Sequence, residues 1–131
     1  MNSELGILGL YGLLLALTIA IQATLSTAQM GMRYNLSPRD EKRALTGYAA
    51  RMDRVATNSI TAMVLFAPAV LLLAVSDRFS PLSLLAAQVF LFCRVAYVPA
   101  YAFGISGVRS ALWFAGFVAS VALYYLWFIG V

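Results

Sequence analysis

Residues 79–108 read FSPLSLLAAQVFLFCRVAYVPAYAFGISGV. The stretch holds one charge, Arg94, between two uncharged runs, Phe79–Cys93 and Val95–Val108. A bilayer core of about 30 Å needs about 20 helical residues, so neither run spans it alone. Joined through Arg94, they make one span with an arginine inside the membrane. The other uncharged runs, Leu5–Met32, Val55–Ser76 and Ser110–Val131, are each long enough by themselves. The chain is therefore expected to be an all-α membrane protein. A single domain over 1–131 would carry transmembrane helices at about 5–29, 49–75, 81–103 and 108–130, with a loop at 30–48.

Composition agrees. Apolar residues make up 63% of the chain and charged residues 11%, against about 45–50% and 25% in soluble domains. That excludes a water-soluble enzyme and a disordered chain. The chain has no His, which excludes His-dependent triads and His-ligated metals. The single Cys93 excludes an intrachain disulfide and a CxxC site. At the N-terminus, Glu4 stands where a signal peptide would be basic, and the apolar run is too long, so this segment reads as a span.

Arg33, Arg39, Lys42 and Arg43 crowd the first loop, with Arg51 and Arg54 just beyond it, and Arg109 marks the third. By the positive-inside rule these loops face the cytoplasm, and both termini face the periplasm or a lumen. Ser37-Pro38-Arg39-Asp40-Glu41 reads as a turn, and Thr46-Gly47 as a break before the second helix. Pro68 and Pro99 fall inside helices and are expected to kink them. Gly6, Gly9 and Gly12 either let another helix approach the first one or reflect ordinary glycine usage in membranes.

Two helices carry polar stripes. Arg51, Arg54 and Asn58 stand at i, i+3 and i+7, with Thr61 continuing the face. Arg94, Tyr97 and Tyr101 repeat the spacing near the other end of the third helix. The two helices run in opposite directions, so both stripes reach the cytoplasmic side, where Arg33 and Arg109 also lie. Guanidinium forks bind carboxylates and phosphates, so the cluster suits a small anion. Asp53 lies about 200° around the helix from Arg51 and points elsewhere, toward an arginine of another helix or subunit. Snorkelling to headgroups is the alternative for Arg51 and Arg54, and an interfacial belt the alternative for Tyr97 and Tyr101. Trp113, Trp127, Tyr124 and Tyr125 read as belt or packing residues, and Cys93 as a lipid-facing or packed thiol.

Arg51-x-x-Arg54-x-x-x-Asn58 resembles the signature of the MAPEG superfamily, the membrane-associated proteins of eicosanoid and glutathione metabolism. Arg94-x-x-Tyr97-x-x-x-Tyr101 is similar to its second motif, Arg33 with Ser37-Pro38 to its first loop, and Arg109-Ser-Ala-Leu-Trp113 to the opening of its fourth helix. The small size resembles the bacterial branch. The resemblance implies a four-helix bundle that forms a homotrimer, with sites between subunits on the cytoplasmic side of a bacterial inner membrane. It implies glutathione as co-substrate, bound by Arg51, Arg54, Asn58, Arg94, Tyr97 and Tyr101. Arg109 would stabilise the thiolate, and Arg33 would act on the second substrate. The implied activity is a glutathione transferase or peroxidase on lipophilic electrophiles or hydroperoxides, without metal.

The chain departs from the family at Thr61 and Ala62, where a Glu and a neighbouring polar residue are common. A second reading follows from that departure: a non-catalytic scaffold, an accessory subunit of a larger membrane complex, or a lipid binder. A proton-coupled transporter would need a carboxylate deep in a span, and Glu4 and Asp53 are not so placed. Nucleic acid is not an expected partner; membrane lipids are.

Overall fold

The computed structural model describes residues 3–31 and 45–130. Ser3, in an extended conformation, accepts from the Gly6 amide at 3.0 Å and opens α1 (Glu4–Met30). Helix α2 (Gly47–Val75) starts behind Thr46, and Gly47 at φ 60° makes the break expected there. Helices α3 (Pro81–Ala102) and α4 (Ser106–Ile129) follow among the described residues. All four are long and apolar enough to cross a bilayer, and their limits differ from the expected ones by at most two residues. Arg94 lies inside α3, so the two short runs are one span.

Two turns have the same construction. At the end of α2, the Arg78 amide donates to the Leu73 carbonyl (2.9 Å) and the Asp77 amide to that of Ala74 (3.2 Å). At the end of α3, Ile105 donates to Ala100 (2.9 Å) and Gly104 to Tyr101 (3.0 Å). Each pair closes a helix through a left-handed residue, Asp77 at φ 54° and Gly104 at φ 75°. Ser80 then opens α3 with a reciprocal cap to Ser83, and Pro81 takes the first helical position, where no amide is needed. The Arg78 guanidinium donates to the Trp127 carbonyl, placing a cation on the C-terminal end of α4.

The bundle is two hairpins. α1 packs on α2 and α3 on α4; α2 also meets α4 and α1 meets α3, with α2 and α3 touching across the diagonal. Phe66 of α2 and Phe90 of α3 stack at 3.9 Å with their planes 4° apart, and Tyr11 of α1 sets its ring edge against both. Ile7, Leu73 and Leu123 close this core without exposed surface. In lipid such contacts act through shape and dispersion, because the surroundings are equally apolar. Among the described residues, nothing from another helix comes within 4 Å of a hypothetical Cβ on Gly9, and on Gly12 only the Met63 methyl does, at 3.8 Å, so neither glycine serves a close helix approach among them.

At the end holding the termini, Glu4 is buried and accepts from the Ser83 hydroxyl at 3.0 Å. At the other end, Gln29 clamps Thr46 with a pair of bonds, donating to its carbonyl (3.1 Å) and accepting from its amide (2.8 Å). Residues 32–44, which include Arg33 and the Ser37-Pro38 turn, lie outside the described residues.

Candidate functional site

The two polar stripes meet each other across the α2–α3 diagonal, within one subunit. Asn58 Nδ2 donates to the Tyr97 hydroxyl at 2.8 Å, and Arg54 Nε donates to the Tyr101 hydroxyl at 2.7 Å. Each tyrosine oxygen thus accepts a bond from α2 and keeps its own O–H for a third group. Both rings are buried, while Arg54 is exposed and Asn58 half-buried. The Arg109 guanidinium of α4 lies 4.6 Å from the Tyr101 ring centre, and that of Arg54 lies 5.8 Å from it. Helical phase explains the convergence: each stripe follows the i, i+3, i+7 spacing that keeps one face.

Asn58, Tyr97, Tyr101, Arg109, Ser110 and Trp113 line a polar pocket of about 300 Å³. Arg51 lies outside that lining. Its guanidinium lies 5.6 Å from the Tyr48 ring centre, and a Cβ on Gly104 would sit 3.6 Å from its Nη2. Arg94 is the deepest of the expected residues, 2% exposed. Its Nη2 donates to Ser59 Oγ at 2.9 Å, and its Cζ lies 4.2 Å from the Tyr97 ring centre. Tyr11 completes this cluster, with its hydroxyl donating to the Ser59 carbonyl at 2.8 Å.

A second cavity, about 400 Å³ and mostly apolar, lies deeper between α2 and α4 with α3 as its floor. Thr61, Ala62, Leu65, Phe90, Arg94 and Trp113 are among its walls. Trp113 lines both spaces, so a polar chamber and an apolar one share a wall. The signal was present: Arg109, Trp113 and Gly116 stand at i, i+4 and i+7 on α4. Trp113 also stacks on Phe117 with ring centres 5.5 Å apart, a packing role as expected. Trp127 and Tyr124 pack as expected, bonding to Ser76 Oγ and the Leu65 carbonyl. Ser59, bonded to Arg94, was not singled out by motif, and Ser110, in the pocket lining, stood in the Arg109–Trp113 motif without a role.

Asp53 is met by Gln22 of α1 at 3.2 Å, where an arginine was expected. The side chain points away from the stripe, as its helical phase requires, and that phase brings it to α1 of the same hairpin. Thr61 donates back to the Thr57 carbonyl at 3.0 Å and so brings no charge to the site. Cys93 is buried, its Cβ 3.7 Å from a hypothetical Cβ on Gly116, which makes it a packed thiol between α3 and α4.

Comparison with known families matches residues 5–129 to the MAPEG family. A search of curated proteins finds no match.

Proposed function

Because the chain belongs to the MAPEG family, a multi-pass membrane family of glutathione and eicosanoid metabolism whose members generally use glutathione, we propose that it conjugates glutathione to lipophilic electrophiles. One observation carries this reading. Arg109, two buried tyrosines and an asparagine line one polar pocket that adjoins an apolar cavity through Trp113, and Arg54 bonds to one of those tyrosines. The polar chamber suits a charged peptide thiol, and the apolar one suits a substrate dissolved in lipid.

In this reading Arg54 and Arg51 hold carboxylates, and Asn58 holds the peptide backbone. Tyr97 and Tyr101 already accept from Asn58 and Arg54, so their O–H groups point their donor capacity at the ligand. Arg109 faces the sulfur. A guanidinium favours the charged form of a thiol, and each pKa unit it removes is worth about 1.4 kcal/mol. The thiol proton passes to water. The sulfur lone pair forms the new S–C bond, and the leaving group departs with its bonding electrons. With a hydroperoxide, two thiols become one disulfide while the O–O bond is reduced to an alcohol and water. Arg33 would act on the second substrate. We further place the protein, as a homotrimer, in a bacterial inner membrane with both termini periplasmic.

Thermal unfolding of the detergent-purified protein with and without millimolar glutathione tests this. Ligand at a hundred times Kd adds about 2.7 kcal/mol by mass action. A shift lost in Arg109→Ala, with loss of turnover of a chlorinated aromatic electrophile, is expected. Absence of any shift would overturn the proposal. It would favour the accessory or lipid-binding reading instead, which Thr61, turned back to its own helix, already supports.

A further inference from the structure

The geometry points to a neutral aromatic carbonyl compound, a quinone, as the electrophile, with Arg94 as the catalytic donor to its reacting carbonyl oxygen. This rests on the thiol-conjugating reading for the attacking sulfur, and it names the class of the second substrate. Arg94 is buried, permanently charged, and set in the wall of the apolar cavity, outside the lining of the polar pocket. Its hydrogen-bond and ring partners, Ser59 and Tyr97, are neutral. Its Nε is a buried side-chain atom with no hydrogen-bond partner, the only such atom among the described residues. The acidic side chains among those residues are elsewhere: Glu4 is on Ser83, Asp53 on Gln22, and Asp77 in the α2–α3 turn.

The shape of the donor selects the acceptor. Nε carries one N–H, and Nη2 is already engaged by Ser59. One donor matches one carbonyl oxygen, whereas a carboxylate or phosphate is gripped best by two parallel N–H groups. The walls select the rest of the molecule. Phe90, Trp113 and Phe117 line the cavity, and the last two stack with their planes 10° apart. A flat conjugated ring packs against such walls by offset or edge contacts. The cavity's 400 Å³ lies within the roughly 300–1,000 Å³ of small-molecule sites. Thr61 stands in the same wall with its hydroxyl committed to Thr57, so no acidic side chain claims Arg94 from that position.

A quinone also reacts in the way that a buried cation promotes. The sulfur lone pair forms the S–C bond at a ring carbon conjugated to the carbonyl. The C=C pair shifts toward the carbonyl, and its oxygen takes up negative charge beside Nε. A preset donor in a water-poor site stabilises such charge far better than water does. That oxygen then takes a proton from water, replacing the one the thiol gave up. The hydrogen on the attacked carbon passes through water to the second oxygen. The product is a sulfur-substituted hydroquinone, formed with no leaving group and no outside oxidant. Trp113, in the walls of both spaces, sets the ring beside the thiol chamber.

The test has two arms, both on the full chain in neutral phosphatidylcholine nanodiscs. In the first, one equivalent of a naphthoquinone with isotope-labelled carbonyls is followed by infrared spectroscopy without thiol. A carbonyl band moved to lower frequency than in empty nanodiscs is expected, and it should vanish in Arg94→Met. Ala62→Phe keeps the cation but fills the cavity, and it should also remove the band. It decides the question if Arg94→Met does not fold. In the second arm, glutathione is added, and kcat/KM is compared for the naphthoquinone and for benzyl chloride, which has no carbonyl. Arg94→Met should lower the quinone-to-chloride ratio about a hundredfold, the cost of removing one oxyanion donor. An unshifted band would overturn the proposal, as would a shifted band that survives in either variant. So would an equal loss on both electrophiles, which would mean that Arg94 only supports the fold of the site. Benzyl chloride turnover without a shifted band would overturn the quinone assignment and leave the transferase reading standing. A shifted band without turnover of either electrophile would refute the transferase reading, and with it the addition step.

Discussion

Replacing Arg94 with Met removes the charge and nearly preserves the side chain's length. Two favourable interactions disappear. The charged hydrogen bond to Ser59 at 2.9 Å is worth about 1.5–3 kcal/mol. The contact with the Tyr97 ring at 4.2 Å is worth about 2 kcal/mol when desolvated. Against this, an arginine at the centre of a membrane helix costs about 2.5–3.5 kcal/mol on insertion scales. The Met side chain also gains contact with the apolar walls. Ser59 need not be stranded, because its hydroxyl can turn to its own helix, as Thr57 does to the Asp53 carbonyl at 3.0 Å. The opposing effects nearly cancel, so stability should change by less than about 2 kcal/mol in either direction. The assay is unfolding by increasing SDS from a neutral detergent, followed by tryptophan fluorescence and helical circular dichroism. Breaking a buried ion pair costs about 3–5 kcal/mol, because it strands the partner charge. A loss of that size would show that Arg94 is paired with a carboxylate in the assembled protein, and would refute the argument that its charge is unanswered.

Tyr101→Phe keeps the ring beneath Arg109 but removes the acceptor of Arg54 Nε. Since Arg54 is exposed, stability should fall by no more than about 1 kcal/mol, while thiol-conjugating kcat/KM falls tenfold or more in a spectrophotometric assay. An unchanged kcat/KM would remove Tyr101 from the site. Asp77→Gly relieves a left-handed residue at φ 54° and should stabilise the protein by up to about 1 kcal/mol, read as a rise in Tm; a fall would mean that the Asp side chain holds the turn. Ser80→Ala removes the reciprocal cap with Ser83 and should lower stability by about 0.5–2 kcal/mol in the SDS titration, with glutathione affinity unchanged because the cap lies at the opposite end from the polar pocket.

The spans were legible because a bilayer imposes length and apolarity on every helix, and a single arginine could not divide Phe79–Val108 into two elements of adequate length. The polar stripes were legible for the same reason: spacing on a helix fixes which side chains share a face. What the stripes face was not, since phase says nothing of which neighbour lies opposite. Asn58 and Tyr97 find each other through the crossing of α2 and α3, a property of tertiary packing. Asp53 finds Gln22 because α1 and α2 form a hairpin, and Gln22 carries no charge that could have marked it as a partner. Trp113 packs on Phe117, as its residue type suggested, while its phase relative to Arg109 sets it in the walls of both spaces. The unsatisfied Nε of Arg94 and the cavity beside it exist only in three dimensions.

The hydrogen bonds across the α2–α3 diagonal also bear on how the two hairpins come to rest against each other. Inside a membrane, one oily surface slides over another with little to distinguish one axial offset from the next. Ser59–Arg94, Asn58–Tyr97 and Arg54–Tyr101 are directional links at successive heights along the same seam. A slip of one helical turn, about 5.4 Å, would break all of them together. The seam therefore works as a key between preformed hairpins: it selects one alignment from many nearly equivalent ones. The apolar residues around it are then at liberty to vary in shape, so long as the notches of the key still meet.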